Sequence, residues 1–151
     1  MDHHMVASTA SQTRGAFSSF TTVSEIMTSG VRTLRPERPI ADAVAVFNEF
    51  GFRHMPVVDE AGSLVGVISD RDALRAMAKG AGTGADVGSV MTRGGITVTS
   101  ATTITDAIEL VVFHRINCLP VTDAGELRGL VTTTDLLQAM HQILHELRHQ
   151  L

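Results

Sequence analysis

The chain repeats itself, and that limits its architecture more than any other feature. Val23-Ser-Glu-Ile-Met-Thr28 returns as Val87-Gly-Ser-Val-Met-Thr92, and Pro39-Ile-Ala-Asp-Ala43 returns as Thr103-Ile-Thr-Asp-Ala107. Met55-Pro-Val-Val-Asp59 returns as Leu119-Pro-Val-Thr-Asp123. Gly66-Val-Ile-Ser-Asp-Arg-Asp72 returns as Gly129-Leu-Val-Thr-Thr-Thr-Asp135, and Ala76-Met77 as Ala139-Met140. The matches stay collinear, with one residue fewer in the turn of the second copy. A repeat of this length is one supersecondary unit that buries its apolar face only against a neighbour. Neither unit is long enough to bury much surface alone, so the two are expected to pack face to face around a shared core.

Each unit reads as β-α-β-β-α. Ile40, Ala43, Val44, Phe47 and Phe50 follow helical spacing, with Pro39 suited to the first turn. In the second unit Thr103 and Asp106 have the spacing of a capping box. Pro56-Val-Val-Asp and Leu64-Val-Gly-Val-Ile-Ser read as short β-branched strands, with turns at Glu60-Ala-Gly62 and Ala124-Gly125. Pro56 and Pro120 donate no hydrogen bond, which predicts that their strands begin there or lie at an edge. A second helix is expected from about Arg71 to Lys79, and from about Thr134 onward in the second unit. A short strand at Thr33-Leu34 or Thr97-Val98 precedes the first helix of each unit. This divides the chain into a tail over 1–20, a first motif over 21–79, a Gly-rich connector over 80–86, and a second motif over 87–151 that ends in an extended helix. The Ser/Thr-rich tail lacks periodicity and reads as flexible, with Phe17 and Phe20 available to dock on the module.

Composition excludes several classes of function. Of 151 residues 44% are hydrophobic, enough for a core and too many for a disordered chain. The net charge of −4, with both signs interspersed, argues against a nucleic-acid partner. There is no Trp or Tyr to stack bases. No apolar run has the length to cross a bilayer, and the N-terminus lacks an apolar signal core, so no membrane partner is expected. The single Cys, Cys118, forms no internal disulfide and suits a reducing compartment. A cytoplasmic location is the expectation.

The repeated Met-Thr, hydrophobic-Pro-Val-x-Asp and Gly-h-h-Ser/Thr-x-x-Asp motifs resemble those of the CBS-domain family. Both units carry all three, and the resemblance runs from about Val23 to Met140. It implies an α+β fold in which two tandem β-α-β-β-α motifs pack about a pseudo-twofold axis, a Bateman module. It also implies clefts between the motifs that bind adenosyl ligands such as AMP, ADP, ATP, S-adenosylmethionine or NAD. Further implications are a homodimer, a regulatory rather than catalytic role, and no required cofactor beyond an adenine nucleotide ligand. Such modules regulate an attached enzyme or transporter, or stand alone with a regulated protein partner. A ligand-independent interaction module is the alternative.

The candidate site residues follow from local chemistry and from this resemblance. Ser69-Asp70-Arg71-Asp72 follows a strand and opens a helix, where free backbone N–H groups attract phosphate. Ser69 and Arg71 supply donors, and Asp72 is suited to accept from ribose hydroxyls. Ser-x-x-Asp is equally a capping box that needs no ligand. By the family pattern, a first cleft combines Ser69, Arg71 and Asp72 with Thr92, Thr97 and Val98. A second combines Thr132, Thr134 and Asp135 with Thr28, Thr33 and Leu34. Phe52 and Ile116 are placed to flank adenine, and Arg53 and Asn117 to contact phosphate near the pseudo-axis. Arg71 and Arg53 have Thr134 and Asn117 as counterparts, so the cleft holding Arg71 is expected to bind the phosphorylated ligand more tightly.

Four other features read as structural. Gly80-Ala-Gly82-Thr-Gly84 follows a helix instead of opening one, and so is a linker rather than a dinucleotide loop. His141, His145 and His149 share a helix face without converging carboxylates or Cys, which favours a solvated or partner-facing stripe over a zinc site; no metal is expected. Leu136, Leu137, Met140, Ile143, Leu144 and Leu147 form an apolar stripe for the module or a second subunit. Cys118 reads as a small core residue. With no Ser/His/Asp set and no paired carboxylates, the chain is not expected to be an enzyme.

Overall fold

In the computed structural model, residues 22–80 and 84–151 are described. The tail carrying Phe17 and Phe20, and positions 81–83 of the Gly-rich connector, lie outside the described residues. The rest is the expected α+β arrangement of two similar halves. In the first, helix α1 (Ile40–Phe50) leads to the hairpin β2 (His54–Val58) and β3 (Leu64–Ser69), then to α2 (Asp70–Ala78). In the second, α3 (Ile104–His114) leads to β4 (Cys118–Asp123) and β5 (Glu126–Thr132), then to α4 (Thr133–Gln150). A two-residue strand, β1 (Thr28–Ser29), stands before the first half. One-turn 3-10 helices at Val23–Glu25 and Val87–Ser89 open the two copies.

The hairpins pair antiparallel, Met55 opposite Ile68 and Leu119 opposite Val131. The strands begin at His54 and Cys118, two residues before the prolines, so the prolines lie inside the strands and do not start them. The register explains why that is tolerated. The Pro56 carbonyl accepts from Leu34 N–H at 3.1 Å, and the Pro120 carbonyl accepts from Val98 N–H at 3.0 Å. A residue's nitrogen and carbonyl face the same side of a strand. Each proline therefore turns its missing donor away from the hairpin partner, toward a neighbour reduced to a single-residue bridge.

The opening segment of each copy crosses to the other half. Val23 is fully buried among Val98, Ile104, Leu119, Val121 and Val131 of the second half. Val87 and Met91 are buried with Ile40, Phe47, Met55 and Ile68 of the first. Hydrogen bonds fix both crossings: Val23 N–H donates to Thr102 at 2.9 Å, and Val87 N–H to Arg38 at 2.8 Å. Thr28 then pairs antiparallel with Leu130, and Thr92 bridges Val67. The halves are thus contiguous in sequence but interlaced in space, which repeat matching does not reveal. Burial on both sides ties each core to the other, because losing one crossing exposes apolar area in the opposite half.

The apolar stripe of α4 divides. Leu136 and Ala139 are buried, while Leu137 and Leu144 remain 65% and 57% exposed. No helix among the described residues is long and apolar enough to cross a membrane.

Candidate functional site

Two β-to-α junctions build the site. In each, a strand-ending hydroxyl caps the next helix: Asp72 N–H donates to Ser69 Oγ at 3.0 Å, and Asp135 N–H donates to Thr132 Oγ1 at 3.2 Å. The capping reading of Ser/Thr-x-x-Asp is therefore realised in both motifs. The two acids differ, however. Asp135 closes a complete capping box, its Oδ2 accepting from Thr132 N–H at 2.9 Å. Asp72 does not fold back; its Oδ1 lies 3.5 Å from Arg75 Nη1.

Two cavities flank these junctions. The larger, of about 1110 Å³, meets the first residues of both α2 and α4: Ser69, Asp70 and Arg71 on one side, Thr132, Thr133 and Thr134 on the other. Thr28, Arg32, Phe52, Arg53, His54 and Asn117 also line it. The smaller, of about 320 Å³, is lined by Ser69, Asp72, Thr92, Thr97, Ile116, Asn117 and Cys118, with His54 again on its wall. Ligand pockets typically hold about 300–1,000 Å³, so both are of useful size.

Most expected residues do gather in two groups. Ser69, Asp72, Thr92, Thr97 and Ile116 meet on the small cavity. Thr28, Phe52, Asn117, Thr132 and Thr134 meet on the large one. Six residues fall elsewhere. Arg71 and Arg53, assigned to the first cleft, line the large cavity. Consecutive helical residues point about 100° apart, so Arg71 and Asp72 leave α2 on different sides. Arg53 lines the same cavity as Arg71, and its carbonyl accepts from Asp70 N–H at 2.9 Å, which ties the start of β2 to the start of α2. Val98 is only 5% exposed and belongs to the core, and Thr33 and Leu34 line neither cavity. Leu34 packs on the first core. Asp135, drawn back into its cap, lines neither cavity.

Repeat comparison at only two positions overlooked Arg32, His54 and Asp70, which also line the large cavity. The signal was present: Arg32, Arg53, His54 and Arg71 stand where the second copy has Ile96, Asn117, Cys118 and Thr134. Every basic member of those pairs comes from the first copy, and all four line one cavity. The Arg32 guanidinium sits 4.1 Å above the Phe50 ring, and Phe50 stacks on Phe52 with centroids 5.6 Å apart. The stack anchors Arg32 at the cavity beside an aromatic face.

Electrostatics separate the cavities further. Three arginines against Asp70, together with two helix N-termini, make the large cavity favourable to an anion. Among the described residues Asp72 is the one carboxylate on the small cavity, beside the hydroxyls of Thr92 and Thr97. Burial drives His54 below the ordinary histidine range, with Asp70 opposing that shift. Burial pushes the Cys118 thiol up to about 12, with Asp135 adding to the effect. A thiol so protonated is a poor nucleophile. His141, His145 and His149 run along the α4 surface with adjacent ring centroids 6.3 and 4.3 Å apart. Among the described residues no group of three or more His, Cys, Asp or Glu is arranged around a metal position.

The profile of the CBS domain family matches residues 23–79 and 87–142. The CBS domain-containing protein YhcV of Bacillus subtilis (strain 168) is 33% identical over 125 residues, 82% of this chain and 87% of that protein. Among solved structures, CBSX2 in complex with AMP aligns with a TM-score of 0.73 at 31% identity, covering 81% of this chain and 97% of that one; CBSX2 comes from Arabidopsis thaliana. The CBS domain pair of MJ0100, in complex with 5′-methylthioadenosine and S-adenosyl-L-methionine, aligns with a TM-score of 0.75 at 26% identity, covering 82% and 98%.

Proposed function

The chain belongs to the CBS-domain family as a tandem pair, and from that premise we propose that it is a regulatory module that senses an adenosyl ligand in its two inter-motif cavities. The observation that carries this reading is the convergence of two helix N-termini and three arginines, Arg32, Arg53 and Arg71, on one cavity, with the carboxylate of Asp72 on the adjoining one. Helix N-termini and guanidinium forks suit phosphate, and a carboxylate that is not folded onto its own helix cap suits paired ribose hydroxyls. Relatives of this fold were solved with AMP and with S-adenosyl-L-methionine. Occupancy would reorient the two motifs, because each ligand would contact both, and a partner or second subunit would respond to that change.

The charge distribution supports a division of ligands between the cavities. The phosphorylated ligand takes the larger cavity, where Arg71 stands with Thr132 and Thr134 rather than with Asp72. The smaller cavity takes a less charged adenosyl group, with its ribose on Asp72 and its ring against Ile116. A homodimer fits the apolar side chains that both motifs expose at equivalent places, Leu74 on α2 and Leu137 on α4, 54% and 65% exposed.

One observation favours the ligand-independent alternative: the Ser69 and Thr132 hydroxyls already cap their helices. Thermal shift with AMP, ADP, ATP, S-adenosylmethionine, NAD and adenosine separates the readings, because a ligand that binds only the folded state raises its midpoint. The sensing module shifts with at least one of these. Titration calorimetry then compares wild type with Arg71→Ala, which is expected to lose affinity about tenfold for AMP, the value of one charged hydrogen bond. No shift across the panel overturns the proposal.

A further inference from the structure

His54 lies on the walls of both cavities, a position it shares with Ser69 and Asn117. It begins β2, is half-buried, and pairs in register with Ser69 at the end of β3. Resting on the nucleotide reading above, we infer that His54 is a specificity-determining residue that recognises a ligand's phosphate by taking up a proton from solvent as the phosphate enters the large cavity.

The surroundings supply the reason. Charged groups face His54 from two directions: Asp70 and Asp72 from the first turn of α2, and Arg53 from the residue before β2. Arg32 and Arg71 line the large cavity with it. Across the small cavity stands Cys118 of β4, held neutral by burial. Burial outweighs the two aspartates and disfavours the protonated imidazole in the empty cleft. A phosphate dianion is the added negative charge that reverses this balance, since an opposite charge within a few ångströms favours the protonated ring. The linkage has a fixed sign. The complex holds the proton to higher pH than the empty protein does, so above the phosphate's own second pKa of about 6 the affinity for a phosphorylated ligand declines as pH rises through the His54 midpoint of the complex. An unphosphorylated nucleoside lacks that dependence. The second motif has Cys118 at the equivalent position, so one histidine serves both cavities.

Calorimetry at pH 7.5, in two buffers of different ionisation enthalpy, counts the protons taken up with AMP, whose phosphate is already dianionic there because its second pKa is about 6. Wild type is expected to take up a measurable fraction of a proton with AMP and none with adenosine, and His54→Gln none with either. In wild type, the ring signals of His54 should titrate about one pH unit higher with AMP than without, equivalent to about tenfold in affinity. This second measurement needs no variant to fold. Binding of AMP with equal proton uptake in wild type and His54→Gln, or with an unmoved His54 midpoint, overturns the inference and leaves the nucleotide reading standing. Absence of AMP binding to wild type overturns both.

Discussion

Met91 Sδ lies 2.7 Å from the point where a Cβ on Gly66 would stand, and the Thr92 carbonyl oxygen lies 2.8 Å from it. The same relationship recurs half a molecule away. A Cβ on Gly129 would fall 2.5 Å from the Thr28 carbonyl and 3.2 Å from Met27 Sδ. The repeated glycine and the repeated Met-Thr are thus one feature, a bare backbone in each hairpin over which the other copy's opening segment crosses. Gly66→Ala and Gly129→Ala are both expected to destabilise by ~1–3 kcal/mol, as overpacking does. The cost should be greater at Gly129, where a backbone carbonyl lies 2.5 Å away, than at Gly66, where the backbone carbonyl lies 2.8 Å away and the other close atom belongs to a flexible Met side chain. Gly95→Ala, with nothing within 4 Å of its Cβ, is the control. Urea denaturation measures all three.

The two helix-opening aspartates separate stability from binding. Asp135 is bound into its cap and lines neither cavity, whereas Asp72 lines the small one. Asp135→Ala is expected to lower stability by ~1 kcal/mol, as loss of a capping interaction does, with little effect on ligand affinity. Asp72→Ala should cost about tenfold or more in affinity for adenosine at the small cavity, equivalent to ~1.5 kcal/mol or more for hydrogen bonds to a charged acceptor. Its melting temperature should move less than that of Asp135→Ala. Thermal melts and calorimetry on the same two variants check this, and equal effects in both assays would sink the distinction.

The hairpin turn of the second motif carries correctable strain. Ala124 has φ +50° and Gly125 φ +81°, the two positive values of a type I′ turn. Glycine holds the second position comfortably, but alanine at the first has a Cβ that disfavours this conformation. The longer loop of the first motif has Gly62 at its one positive φ. Ala124→Asn is expected to stabilise by ~0.5–1 kcal/mol, since Asn-Gly is the favoured pair in such turns. A raised chemical-denaturation midpoint with an unchanged slope is the result that supports it.

Leu137 and Leu144 are one heptad apart on the outer face of α4, both largely exposed, and Leu74 is the equivalent of Leu137 in the first motif. Exposed apolar side chains at such spacing suit the proposed homodimer interface. Leu137→Glu combined with Leu144→Glu should convert a dimer to a monomer by light scattering without unfolding it, because neither side chain belongs to a core cluster. A monomeric wild type, or a double variant that remains dimeric, removes this face from the interface.

Much of the architecture was legible because it rests on period and punctuation. The helix from Ile40 to Phe50 shows in its apolar spacing, and the hairpins show in their β-branched runs and Gly turns. What the linear pattern could not carry was the crossing of the opening segments, because Val23 and Val87 are apolar whichever core receives them. The grouping of site residues was partly legible, since the Ser/Thr-x-x-Asp segments mark the helix starts. The destination of Arg71 and Arg53 was not, because it depends on the direction in which a side chain leaves a helix's first turn. Asp135 shows the same limit: its sequence context matches that of Asp72, yet one carboxylate folds onto its own cap and the other does not.

The lone cysteine gives a pH-dependent prediction whose sign is set by burial. The Cys118 thiol is pushed up to about 12, chiefly by its removal from water, while an unfolded chain releases that proton near the ordinary value of about 8.5. Between those values the unfolded state binds fewer protons than the folded one, so stability falls as pH rises from about 8.5 toward 12. Cys118→Ala or Cys118→Val should flatten that part of the profile relative to wild type. A thiol reagent added to the folded protein at pH 8 should react far more slowly than with the denatured chain, because the thiolate is the reactive form. Cys118 also lines the small cavity, so an adenosyl ligand seated there should slow the reaction further. Reaction of the folded protein at the denatured rate would show that the side chain is neither shielded nor held protonated.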